Sequence, residues 1–414
     1  MAKKNRVVVT GYGATCSLGK NSAQIWDSIT KYQLGYFKKS VPSNISSKFF
    51  GDIQWELDTN SISKALKKVL PRFGTLGMLA AEEAITMAFG QYSPTDFHDP
   101  MRCGAIFGTG WGASDELVRF ANKYQEVGIA NPMASLITMH SIATAAFSKR
   151  WSLRGYQNTP IAACATGSLS IGDAFEHIRH GRADFIIAGG GESIREDYNI
   201  WNIDILGALS REQADIQNAS CPFSLDRTGF VLSEGAAVLC LEDYNTAKRR
   251  KANILGELIG YGSNSDAYDW TSPASDGGGR IQSIRSACMQ ADIDVSEIDY
   301  VNAHGTSTIL NDLDEVKCLK SVFGKHAYSI PISSTKSYTG HLIAAAGAIE
   351  SIFCLKSIQN SILPATANLQ KADPDCDLDF IPHRHRHVSG INTVLNVNYG
   401  FGGANSALIF RKAG

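Results

Sequence analysis

With 414 residues, 44% hydrophobic and 19% charged, the chain has the length of about two or three domains and enough apolar side chains for sizeable buried cores. Its 39 basic and 40 acidic side chains leave a formal charge of −1, which excludes a chain-wide electrostatic footprint for nucleic acid or an anionic membrane. No apolar stretch reaches the roughly 18 residues of a membrane helix, the start MAKKNRVVVTGYG is not a secretory signal, and nine cysteines without a C-x-x-C pair fit neither a disulfide framework nor a zinc cage, pointing to a reducing cytoplasm.

In chain order, β-branched or alanine-rich runs at 7–10, 105–108, 185–188, 236–241, 254–259, 298–303, 330–334 and 393–398 read as strands separated by helical patterns. Such alternation predicts βαβ units and a largely parallel, buried sheet. The opening Gly11-Tyr12-Gly13 returns as Gly260-Tyr261-Gly262, just after the charged stretch Lys248-Arg249-Arg250-Lys251, which reads as a solvated junction. Two α/β halves are therefore expected, residues 1–250 and 251–414, with no linker long enough to separate them. Gly11 and Gly13 also begin a dinucleotide-type fingerprint, but Cys16 stands at its third glycine position, which argues against nucleotide binding.

In TPIAACATGS, Cys164 lies where a short strand meets a helix whose apolar positions Ile171, Ala174, Phe175 and Ile178 share one face. The helix start is expected to lower the thiol pKa, in an arrangement analogous to the nucleophile elbow of α/β-hydrolases. A small buried core residue is the alternative. His304 follows the strand at 298–303, at the end where open α/β sheets bind ligands. His341 stands at the start of an apolar helix, whose dipole is expected to keep the imidazole neutral and able to donate to a developing oxyanion. Either histidine could instead make a structural hydrogen bond.

Glu350, alone in an apolar run, either pairs with Lys336 or lies on an exposed helix face. His383, His385 and His387 alternate with arginines that repel a cation, so a solvated face and no metal site is expected there. Gly400-Phe401-Gly402-Gly403 is either a mobile loop carrying a bulky plug or a tight turn.

Together these segments resemble the elongating β-ketoacyl-[acyl-carrier-protein] synthases of the thiolase superfamily, type II polyketide ketosynthases included. The resemblance spans essentially the whole chain through VVVTGYG, AACATGS, ADFIIAGGGES, CPFSLDRTGFVLSEGAAVLCLE, VNAHGTST, SSTKSYTGH and NYGFGGAN. It implies an α/β thiolase fold: two duplicated halves in α-β-α-β-α layers, the first carrying the nucleophile and the second both histidines. It also implies acylation of Cys164 and decarboxylation of malonyl carrier protein assisted by His304 and His341. Lys336 and Glu350 would be a support pair, Cys164 and Phe401 an oxyanion hole, and Phe401 a gate. Thr306 and Thr308 would hold the phosphopantetheine arm, with Trp111 and Ile203 in the acyl pocket. The family needs no cofactor or metal beyond substrates carried on acyl carrier protein, and it dimerises, either with itself or with a homologous chain-length factor.

Several positions depart from the usual pattern. Trp111 stands where long-chain fatty-acid synthases usually have a smaller aliphatic residue, Asn398-Tyr399 replaces Ser-Phe, Asp269-Trp270 replaces His-Met, and Cys221 replaces a frequent arginine. Asn311-Asp312 is shared by many polyketide ketosynthases. These lean towards a specialised polyketide-type pathway, with housekeeping fatty-acid elongation as the alternative. A non-catalytic chain-length-factor-like subunit is a poorer fit, because the nucleophile is present.

Overall fold

The structure is a computed structural model and describes residues 4–414. Ten strands form one sheet: β1 (Val7–Cys16), β2 (Cys103–Gly108), β3 (Gln157–Asn158), β4 (Phe185–Glu192), β5 (Gly235–Asp243), β6 (Gly256–Ser265), β7 (Tyr300–Asn302), β8 (Ile332–Ser333), β9 (Thr393–Gly400) and β10 (Ala404–Arg411). Their order is β8-β7-β9-β10-β6-β1-β5-β4-β2-β3. Outward from the middle, β1-β5-β4-β2-β3 and β6-β10-β9-β7-β8 repeat one topology. The halves join where Val7, Val8 and Val9 pair antiparallel with Leu258, Glu257 and Gly256.

Only the outer pairings are parallel, β2 with β3 and β4, and β7 with β8 and β9; those through the middle are antiparallel. This corrects the expectation of a largely parallel sheet. Strands β9 and β10 are joined by only three residues, too few for a parallel crossover.

Five helices build the layers: α1 (Arg72–Phe89), α2 (Thr166–Arg179), α3 (Gly278–Ala291), α4 (Ile309–Phe323) and α5 (Ala346–Asn360). Helices α2 and α5 touch each other and strands of both half-sheets, α1 covers β1 and β5, and α3 covers β6 and β10. The result is the α-β-α-β-α stack. The Gly-Tyr-Gly echo now has a cause. A Cβ at Gly11 or Gly13 would strike the carbonyls of Ala84 and Ala80 in α1, and one at Gly260 or Gly262 those of Ala287 and Ser283 in α3. Each outer helix therefore rides directly on bare strand backbone, and Gly11 and Gly13 lie inside a strand rather than in a phosphate-binding turn.

The charged run at 248–251 is solvated only in part. Arg250 turns inward, donating to both oxygens of Glu242 at 2.7 Å and lying 4.1 Å over the Phe89 ring. Buried Glu242 needs a cation, and the run supplies it. His383 and His387 are exposed, as a solvated face predicts, but His385 is half-buried, stacked on Tyr32 and accepting the Ala365 N–H at Nδ1. Among the described residues no helix is long and apolar enough to cross a membrane.

Candidate active site

Cys164 sits in a 3-10 turn, Ala163–Ala165, that leads into α2, with Ala163 at φ +46°. The second half repeats the device: the turn Ile343–Ala345 leads into α5, with Ile343 at φ +49° and His341 two residues before it. Left-handed backbone is costly for alanine and more so for β-branched isoleucine, so both elbows are held by their surroundings. His304 lies just beyond β7, where the backbone N–H groups of His304 and Gly305 each donate to a different oxygen of Glu315 in α4, both at 2.7 Å. Burial pushes Glu315 up to about 7.

These segments bring the Cys164 sulfur and a ring nitrogen of each histidine within 4.8 Å of one another. All three side chains are buried, and the two imidazoles meet edge-on at 5.5 Å between centroids. His341 Nδ1 accepts the Ile343 N–H at 3.1 Å, so the neutral ring carries its proton on Nε2, which has no protein partner. Burial drives both imidazoles well below the ordinary histidine range. The Lys336 charge acts in the same direction on both, and His341 and Arg280 add to it at His304. The expected neutral state is present, but burial is its main cause.

For Cys164 the helix-start expectation is overturned. Burial pushes the thiol up to about 12, opposed by Lys336 and the Phe401 N–H and reinforced by Glu192 and Glu350. Desolvation of a thiolate outweighs a helix terminus. At rest the side chain is therefore a thiol. Its alkylation by iodoacetamide is expected to rise about tenfold per pH unit from 7 to 10, following the thiolate fraction; a plateau near neutrality would contradict this.

Lys336 and Glu350 pair at 2.6 Å, both 1% exposed, so the exposed-face alternative for Glu350 falls away. The other Glu350 oxygen accepts from Asn398 Nδ2 at 2.6 Å, and Asn398 Oδ1 accepts from Ser168 Oγ at 2.5 Å. Asn398 was noticed in the sequence only as a departure and Ser168 not at all, because their partners lie 48 to 230 residues away and leave no local spacing. Glu315 was likewise missed; an acid on the buried face of α4 was the available signal.

A cavity of about 330 Å³ opens onto Cys164, His304 and His341, and Thr306, Thr308 and Phe401 also line it. Thr306 and Thr308 share a hydrogen bond at 2.8 Å. Trp111 and Ile203 do not line this cavity. They pack into an apolar cluster with Cys164, Phe230 and Ile343. Residues 401–403 form a tight turn between β9 and β10, with Gly402 and Gly403 at φ +84° and +80°. Hydrogen bonds of 2.8 Å, Gly402 N–H to Trp270 C=O and Asp266 N–H to Gly403 C=O, tie it to the 266–270 loop.

Two family models match this chain, described as "Beta-ketoacyl synthase, N-terminal domain" over residues 4–247 and "Beta-ketoacyl synthase, C-terminal domain" over residues 255–370. The chain belongs to the β-ketoacyl synthase family. It is an acyl-transferring condensing enzyme with the thiolase fold. Among curated relatives, the 3-oxoacyl-[acyl-carrier-protein] synthase 2 of Staphylococcus aureus is 34% identical, covering 100% of this chain and 99% of that one. Among solved structures, a type II PKS acyl-carrier protein complex with its ketosynthase bound to the hexaketide contains a chain 34% identical at TM-score 0.88, covering 99% of this synthase and 100% of that chain. The ishigamide ketosynthase/chain length factor gives a TM-score of 0.91 at 26% identity, covering 99% and 100%.

Proposed function

We propose that this synthase condenses a malonyl group, delivered on acyl carrier protein, with an acyl group held on Cys164. The observation carrying the proposal is the Cys164 thiol within 4.8 Å of two buried neutral imidazoles at a cavity that also holds Thr306, Thr308 and Phe401. The division of chemistry follows the halves: residues 1–250 supply the nucleophile, and 251–414 the histidines. No cofactor is required, because the reacting groups arrive as thioesters on phosphopantetheine, an arm suited to the Thr306–Thr308 hydroxyls. The cytoplasm, where a thiol nucleophile stays reduced, is the fitting compartment.

In the first step the Cys164 sulfur attacks the acyl thioester. His341 already has its lone-pair nitrogen engaged by Ile343 N–H, so the thiol proton passes to His304 and on to the departing carrier thiol. The backbone N–H groups of Cys164 and Phe401 receive the oxyanion; one such donor is often worth about 3–4 kcal/mol. In the second step malonyl carrier protein loses CO₂, and the enolate oxygen takes hydrogen bonds from His304 and His341 Nε2. Burial, aided by the Lys336 charge, keeps both rings unprotonated. The enolate carbon then attacks the Cys164 thioester, breaking its C–S bond; the 3-ketoacyl product leaves on the carrier, and the released Cys164 thiolate takes a proton from solvent water. Phe401, on the turn beside the sulfur, acts as the gate between the steps.

We assign the synthase to a specialised, polyketide-type pathway. Support comes from the Trp111 indole, which packs against the apolar cluster that contains Cys164 and would narrow an acyl channel running into that cluster, and from the likeness to the type II PKS complex. The equal identity to the Staphylococcus aureus synthase favours the second reading, housekeeping fatty-acid elongation. Intact mass of Cys164 after incubation with a panel of acyl carrier proteins decides between them. Short acyl groups are expected to load at least about tenfold faster than saturated chains of about ten carbons, and Trp111→Ala to remove most of that preference. Equal loading of both by the wild type would favour the housekeeping reading. A pairing of two chains, identical or with a chain-length factor, fits the exposed apolar residues Leu117, Tyr124, Val127, Ile129, Leu136 and Met139 and the open edge of β3.

A further inference from the structure

Four side chains form an unbroken line through the buried centre of the molecule. Ser168, one helical turn after Cys164, donates to Asn398 Oδ1 at 2.5 Å; Asn398 Nδ2 donates to Glu350 Oε2 at 2.6 Å; and Glu350 Oε1 meets Lys336 Nζ at 2.6 Å. None of the four is more than 1% exposed. Any side chain at Gly347 would strike Ser168 Oγ and Asn398 Oδ1, so the backbone of α5 is bare where the line passes.

Direction in this line is fixed by chemistry. The Ser168 hydroxyl has a hydrogen to give, and the Asn398 carbonyl takes it, which leaves the amide NH₂ facing Glu350. The flipped amide would set its carbonyl oxygen against a carboxylate. Burial pushes the Glu350 carboxyl up, opposed by Lys336 and by the Asn398 amide; that donor favours the ionised form, and an ionised Glu350 faces Lys336, whose charge acts on Cys164, His304 and His341 alike.

We infer that Asn398, oriented by Ser168, is a positioning residue for the decarboxylation step, fixing Glu350 so that Lys336 presents its ammonium to the imidazole pair. The inference rests on the proposed condensation and deepens it. Asn398 does not line the cavity, and its side chain meets Ser168 and Glu350, so its effect must pass through Glu350, and that sets the test.

Malonyl-carrier decarboxylation, Cys164 acylation and melting temperature are measured for the wild type, Asn398→Ala, Glu350→Gln and the double variant. Asn398→Ala is expected to lower the decarboxylation kcat about tenfold, the scale of one charge-assisted hydrogen bond, with KM within about twofold and acylation less affected. In the Glu350→Gln background the same change is expected to cost under about twofold, because coupled residues are not additive. Undiminished turnover, or a full tenfold loss repeated on top of Glu350→Gln, would overturn the inference. If Asn398→Ala does not fold, Ser168→Ala, which frees the amide to rotate, takes its place in the same cycle with the same two criteria. A wild type that releases no CO₂ would overturn the proposed function itself, and this inference with it.

Discussion

Replacing Cys164 with alanine is expected to abolish the acyl-enzyme adduct in intact mass spectra and to lower condensation by at least about 10³-fold. The sulfur is the atom on which the two histidines and the Phe401 N–H converge, and the other eight cysteines are free and buried elsewhere in the fold. Because the imidazole pair remains, slow release of CO₂ from malonyl carrier protein should continue without product formation. Separation of these two readouts distinguishes loss of a nucleophile from loss of fold. An adduct surviving at full level would remove Cys164 from the chemistry.

His341→Ala should do the opposite. Acylation is expected to stay within a few-fold of wild type, while decarboxylation and condensation fall by about 10²–10³-fold, the scale of a lost oxyanion donor. The asymmetry comes from the tautomer. With Nδ1 occupied by Ile343 N–H, His341 offers the cavity a donor and no base, so it contributes where an enolate develops and little where a thiol must lose its proton. Burial also disfavours its protonation, so acidification through the ordinary histidine range should leave it neutral and a donor still. Parallel losses in both steps, measured by single-turnover acylation and by CO₂ release, would misplace its role.

Much of this was legible in the chain. The alternation of β-branched runs and helical patterns announced an α/β fold, and the motifs around Cys164, His304 and His341 announced one site, because a strand end or a helix start is a local signal. The Gly-Tyr-Gly echo correctly pointed to duplication, although its reason, helices resting on strand backbone, needed the fold. The direction of strand pairing was misjudged because alternation alone does not reveal a turn as short as 401–403. The sign at Cys164 was misjudged for a related reason: a helix start is visible in sequence, whereas burial sums over residues from distant segments. The Ser168–Asn398–Glu350 line was hidden likewise, its first bond closing between residues 230 apart.

The paired elbows also constrain how such a chain can change. A side chain at Gly167 would strike Ala344 and Ala348, and one at Gly347 would strike Ser168, so each copy of the turn is the mould for the other. Bulk gained at either glycine presses the turn that carries Cys164 against the turn that follows His341. An inherited repeat thus behaves as a single lock with two interpenetrating parts: sequence drift in either is answerable to its mate, and separating the halves would deprive both of the surface that shapes them.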